Sequence, residues 1–260
     1  MSASKVVAER AVRGGRELRL TLALAGESVP AVWLLPLAPR PAPAALVLHG
    51  YGSRKERMAD TIGRALLARG IAALALDLPL HGERAAPDGG PGGGTPLELI
   101  TRWQSGLAEC QAAVRWLEAE SEVDAPRLAT IGYSMGAFLA LEVAAATPEV
   151  RAVVLAAGGD FPPWMPFASL IRRVVDPLRA ARALGGRPLL MAHGRRDRTV
   201  HPDQAQRLFD VAGEPKAIRW WDAGHVLPPA AIDDAAAWLA ERLSEERLSA
   251  LGSRPSAGTQ

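Results

Sequence analysis

The chain has 260 residues, 48% of them hydrophobic and 22% charged, which excludes disorder as its main state because that much apolar material offsets the entropy of ordering. A membrane-spanning helix is excluded too: no apolar run approaches the roughly 18–20 residues a bilayer needs, and the longest candidate, 138–146, contains Glu142. The net charge is only +2, and the pI near 9.0 reflects 27 Arg against three Lys (Lys5, Lys55, Lys216) scattered among 28 acids, a solvated surface rather than a nucleic-acid patch.

The first 20 residues are charged throughout and lack the apolar centre of a secretory leader, so a cytoplasmic location is expected. Two strands come first, over 17–25 and 31–37. The first alternates polar and apolar residues as a half-buried antiparallel strand does. A short apolar run at 44–48 reads as a buried strand, 54–69 as a helix and 71–76 as a second buried strand. The Gly/Pro-rich stretch 85–96 lacks the spacing of a phosphate-binding loop and reads as a flexible connection. A long helix is predicted over 97–119, then alternating elements: strands at 127–131, 152–156, 188–192 and 217–221, and helices at 135–146, 203–211 and 230–249. Buried strands alternating with helices specify a mostly parallel sheet covered on both faces, with the antiparallel opening pair as one edge. No repeat or boundary divides the chain, so one domain over 1–260 is expected, with its core at about 17–248. Cys110 is the only cysteine, which rules out an intramolecular disulfide or a cysteine-rich metal site; no metal or organic cofactor is called for.

The strongest chemical signal is G-Y-S-M-G at 132–136, between a predicted strand and an Ala-rich helix. A tight turn there lifts Ser134 to a helix N-terminus, where aligned N–H groups favour negative charge. A serine hydroxyl is a weak nucleophile and needs a base with a carboxylate to orient it. His225, in W-D-A-G-H just past the last strand, is the candidate base. His49, His81, His193 and His201 read as structural or exposed. Asp197, in H-G-R-R-D-R-T-V after the penultimate strand, is the candidate acid. Asp160 and Asp222 are weaker rivals, the latter too close in sequence to His225. An acyl-transfer site also needs donors for the developing oxyanion. The N–H of Met135 follows the nucleophile directly, and the glycines of H-G-Y-G-S (49–53) offer a second donor at Tyr51 N–H.

H-G-Y-G-S, D-L-P-L-H-G-E-R (77–84), G-Y-S-M-G, H-G-R-R-D-R-T-V and D-A-G-H occur in the order found in α/β-hydrolases, which the chain resembles over about 17–248. The D-L-P-L-H-G-E-R stretch and the lack of a large insertion resemble the small carboxylesterase and dienelactone-hydrolase-like branch. A dienelactone hydrolase proper has Cys as nucleophile, and here the position is Ser134. The resemblance implies an α/β-hydrolase fold of three layers with a short lid at about 158–184. It implies a serine hydrolase cleaving esters of small to medium apolar acyl groups through an acyl-enzyme, with Ser134, His225 and Asp197 as triad. Phe161, Trp164, Met165 and Phe167 are expected to roof the pocket. Thioesterase, peptidase or perhydrolase chemistry on the same triad, or a ligand-binding protein of this fold, are the alternatives. The expected partner is a small-molecule ester, with no nucleic acid and a monomeric or homodimeric state.

Overall fold

Where the chain must reverse between strands it uses the residues that turns demand. Leu24 and Glu27 close a two-residue hairpin through Ala25 (φ 51°) and Gly26 (φ 89°), both in the left-handed region that such a turn requires. The computed structural model describes residues 4–38, 40–85, 95–162 and 172–252. Among these, nine strands form one sheet: β1 (Ser4–Val12), β2 (Gly15–Leu24), β3 (Glu27–Pro36), β4 (Ala42–Leu48), β5 (Ala72–Leu76), β6 (Val123–Tyr133), β7 (Val150–Ala156), β8 (Leu189–Gly194) and β9 (Lys216–Trp221). Their spatial order is β1-β2-β3-β5-β4-β6-β7-β8-β9. β1 to β3 pair antiparallel, β3 meets β5 antiparallel, and β4 to β9 run parallel.

The parallel strands β4 to β8 are buried on both faces and alternate their side chains between two cores, while β9 at the edge is only half-buried. Leu46, Leu48, Val153, Leu155 and Met191 face one side, covered by α2 (Pro96–Ala119), α3 (Met135–Ala146), α4 (Pro177–Arg182) and α5 (Pro202–Val211) through side chains such as Trp116, Leu139, Ala181 and Leu208. Val47, Ala73, Ile131, Val154 and Leu190 face the other. There α1, the helical run 55–67 with a π-helical turn at Ala59–Gly63, and α6 (Pro229–Gly252) contribute Ile62, Leu66, Trp238 and Leu239. This is the three-layer arrangement expected. Cys110 is fully buried in the first core, and burial pushes its thiol up, away from reactivity.

One expectation needs correction. The sheet edge is not an opening pair but three antiparallel strands, because β1 lies outside β2. Ser4–Val12 is exposed along almost its whole length, so it carries none of the apolar alternation that marks a half-buried strand. Most of the Gly/Pro-rich connection, 86–94, lies outside the described residues; α2 starts after it, with Thr95 and Glu98 exchanging the reciprocal bonds of a capping box. Among the described residues no helix is long and apolar enough to cross a membrane.

Candidate active site at the carboxyl ends of the parallel strands

Parallel strands present their carboxyl ends to one rim, and loops there converge on a crevice. Ser134 is the single residue between β6 and α3. Its backbone sits at φ 51°, ψ −116°, a strained conformation for a residue with a Cβ, costing of order 1–3 kcal/mol. Close packing enforces it. A Cβ on Gly132 would lie 2.0 Å from Gly136 O, and one on Gly136 2.3 Å from Leu48 O. Ser134 N–H donates to Ala156 O (2.8 Å), and Ala137 N–H donates to Ser134 O (2.8 Å).

The loops after β8 and β9 bring the other two predicted residues to this serine. His225 Nε2 is 2.9 Å from Ser134 Oγ, and His225 Nδ1 is 2.8 Å from Asp197 Oδ2. Facing a carboxylate, Nδ1 carries the proton, which leaves Nε2 as acceptor for the serine hydroxyl. Asp197 is buried, and its second oxygen accepts the N–H groups of Thr199 (2.8 Å) and Val200 (3.0 Å). The two loops are stitched by Arg195 N–H to Trp221 O and Arg196 N–H to Ala223 O. Gly194 permits this approach, since a Cβ there would meet Gly224 O at 2.2 Å. The rival acids lie elsewhere: Asp160 pairs with Arg172 (2.7 Å) and Arg207 (3.5 Å), and Asp222 is exposed beside Arg196.

Met135 opens α3, so its N–H lies in the first turn, where helical donors have no partner within the helix. Tyr51 occupies the second position of a turn closed by Ser53 N–H to Gly50 O (3.1 Å), with Gly52 at φ 70°. That is a type II turn, and its ring bond does not use the second residue's N–H. His49 fixes the turn. Its Nε2 accepts Leu78 N–H (3.0 Å), so its Nδ1 is the protonated nitrogen and donates to Gly50 O (2.8 Å). Burial lowers the His49 pKa to about 4, although the bond to Gly50 works the other way; the ring is neutral at pH 7. Because the two ends of a peptide unit point in opposite directions, holding Gly50 O toward His49 aims Tyr51 N–H away from it. Gly50 itself lies against Ser134, where a Cβ would come within 3.3 Å of the serine Cβ.

A cavity of about 120 Å³ lies beside Met135, the residue after Ser134, walled by Tyr51, Leu78, Leu80, Trp103, Met135 and Leu139 among others. The walls from 78–80 and from α2 were not among the expected pocket residues. Leu99 and Trp103 sit four apart on α2, with Leu99 half exposed, and that unpaired apolar face was the available signal. Phe161 stacks on Phe138 (5.1 Å between centroids) with Arg172 over its ring. Trp164, Met165 and Phe167 lie outside the described residues. Tyr133 was also missed, hidden in a variable position of its motif: its hydroxyl donates to His225 O (2.6 Å) and accepts Leu227 N–H (2.8 Å). His193 is buried and bound to Val200 O (2.9 Å), and His201 is exposed. Among the described residues no group of three or more His, Cys, Asp or Glu is placed to hold a metal ion.

A model of the Dienelactone hydrolase family matches residues 29–226. The chain is 29% identical over 181 residues to an uncharacterized protein of Mycobacterium tuberculosis; that match covers 67% of this chain but only 59% of the relative. It is 29% identical over 231 residues to Esterase YjfP of Escherichia coli K12, covering 78% of this chain and 90% of the relative. In three dimensions it is similar to a cold-adapted esterase from an Arctic intertidal metagenomic library, with TM-score 0.72 and 23% identity over 91% of this chain and 97% of that one, a likeness of fold.

Proposed function

The chain belongs to the dienelactone hydrolase family, and we propose that it is a serine esterase cleaving esters of small acyl groups through an acyl-enzyme. The observation that carries this reading is the unbroken line Ser134 Oγ–His225–Asp197 at the start of α3. Ser134 Oγ attacks the ester carbonyl while His225 Nε2 takes its proton, and Asp197 holds the imidazole in the needed tautomer. The tetrahedral oxyanion is held by Met135 N–H and Tyr51 N–H. His225 then protonates the alcohol oxygen as the C–O bond breaks. A water, deprotonated by the same histidine, releases the acid and restores Ser134.

The cavity supports a small acyl group. Its walls come from the two oxyanion residues, the loop after β5, α2 and α3, and none of those named belongs to the His225 loop. The leaving oxygen must face His225 to be protonated, so the acyl group takes the other side. At about 120 Å³ the space lies well below the roughly 300–1,000 Å³ of drug-sized sites. The esterase name of the Escherichia coli relative agrees with this chemistry.

The test is hydrolysis of p-nitrophenyl esters of graded chain length, with activity expected to peak at short acyl chains. Ser134→Ala should lower kcat by about 10⁴–10⁶. A fluorophosphonate should label wild type at Ser134, and absence of labelling would point to a ligand-binding protein of the same fold.

A further inference from the structure

Lys55 is one of three lysines, and its side chain is 1% exposed. It follows the Tyr51 turn by two residues beyond Ser53 and opens α1. Its ammonium lies 2.7 Å from Asp77 Oδ2, 2.7 Å from Glu83 Oε1 and 2.9 Å from Glu56 Oε1. Its backbone N–H donates to Asp77 Oδ1 at 2.9 Å. Asp77, fully buried, also accepts Glu83 N–H (2.9 Å), and Gly82 lies so flat against its carboxylate that a Cβ there would come within 2.2 Å of it. Asp77 is the first residue past β5 and begins the loop that supplies Leu78 and Leu80 to the cavity wall. Arg84 continues the chain of charges: it donates to Asp77 O (3.2 Å) and grips Glu109 of α2 with two bonds (2.6 and 2.9 Å).

The Tyr51 turn is thus pinned at both ends. His49 holds Gly50 O and the loop after β5 at one end, and Lys55 clamps the same loop at the other. Buried ion pairs of this kind often add no stability over apolar residues of the same volume, so stability alone does not account for an ammonium here. Burial disfavours the Lys55 ammonium, and its three carboxylate partners outweigh that and raise its pKa, so it stays charged.

We propose that Lys55 is a positioning residue of the oxyanion site: through Asp77 and Glu83 it fixes the turn that carries Tyr51 N–H relative to Ser134. This rests on the esterase reading above. A displaced donor weakens the tetrahedral state while leaving the planar ester almost untouched, so its signature is a split between kcat and KM.

The experiment measures kcat and KM for p-nitrophenyl butyrate, and Ki for butylboronic acid and for butyrate, in wild type, Lys55→Met and Glu83→Gln. The boronic acid adds to Ser134 Oγ as a tetrahedral anion, whereas butyrate mimics only the planar product. Lys55→Met should lower kcat by about 10–100-fold, the scale of a misplaced rather than deleted donor. Its boronate Ki should rise by the same factor, with KM and butyrate Ki within about threefold. Glu83→Gln weakens an exposed partner without threatening folding and should change kcat and boronate Ki by about threefold with KM and butyrate Ki unchanged, so it decides the matter if Lys55→Met does not fold. Wild-type kcat and boronate affinity in a folded Lys55→Met, or in Glu83→Gln where Lys55→Met is unfolded, overturns the proposal. So does a loss shared equally by boronate, butyrate and KM, which marks general loosening. If wild type neither turns over esters nor is labelled at Ser134, the esterase reading fails, and that is read before any variant is made.

Discussion

On one side of Ser134, the loops after β4 and β5 are locked by an ammonium sunk among carboxylates; on the other, the loops after β8 and β9 are locked by main-chain bonds, a phenol and one carboxylate. The contrast matches what each side must endure in the proposed reaction. Next to Tyr51 the protein faces a charge that arises on the substrate, and a rigid donor is what stabilises it. Next to Asp197 the charge arises on His225 itself and vanishes again each turnover. A second fixed charge beside that ring would hold it in one protonation state; neutral anchors such as Tyr133 hold its position without doing so.

Five substitutions and one titration test this division. Asp197→Asn keeps the shape but reverses the hydrogen-bond demand on His225 Nδ1, and kcat should fall by about 10⁴ in steady-state assays. Tyr51→Pro comes next. The second position of a type II turn accepts proline and Gly50 tolerates what precedes one, so the change deletes little but the N–H; kcat should drop by about 10²–10³ with the fold intact by circular dichroism. An unchanged kcat would remove Tyr51 from the oxyanion site.

Acid stability follows from His49. Its ordinary pKa is 6.5 and its folded value is about 4, because burial disfavours the imidazolium. Between these values the unfolded chain takes up a proton that the folded one refuses. Stability is therefore complete above pH 6.5 and falls by about 3 kcal/mol as the pH drops to 4, with nothing further from this group below that. Urea midpoints at pH 7, 5.5 and 4 should show that slope in wild type and a shallower one in His49→Gln, where His193, whose pKa burial also lowers, still contributes. Tyr133→Phe leaves His225 O and Leu227 N–H without their partner and should cost about 2 kcal/mol in urea unfolding. Tyr51→Ala keeps the backbone donor and removes a 65% exposed ring from the cavity wall, so kcat should change by no more than about threefold and the loss should appear in KM.

What could be read in the sequence was whatever is local. The parallel strands announced themselves as short apolar runs, and helix 135–146 coincides with α3, because an Ala-rich segment after a glycine turn leaves the chain little choice. Ser134, Asp197 and His225 were named from short motifs at strand ends, and the fold brings the three within hydrogen-bond reach. β1 was illegible because an exposed strand has no burial pattern to print. Lys55 and Tyr133 were illegible for another reason: each acts across the chain, on Asp77 22 residues away and on His225 92 residues away. No window of neighbouring residues contains those pairs. The wall formed by Leu99 and Trp103 failed in the same way, since an apolar helix face does not say what it looks at.

The backward-bent backbone at Ser134 has a practical use. Nothing in an unfolded chain holds a serine at φ 51°; once the elbow opens, the residue relaxes and its hydroxyl parts from His225. The yield of a serine-directed probe would then count correctly assembled molecules, one label per intact elbow. The chain would report its own native fraction in a heated, acidified or crude sample, whatever ester it meets in life.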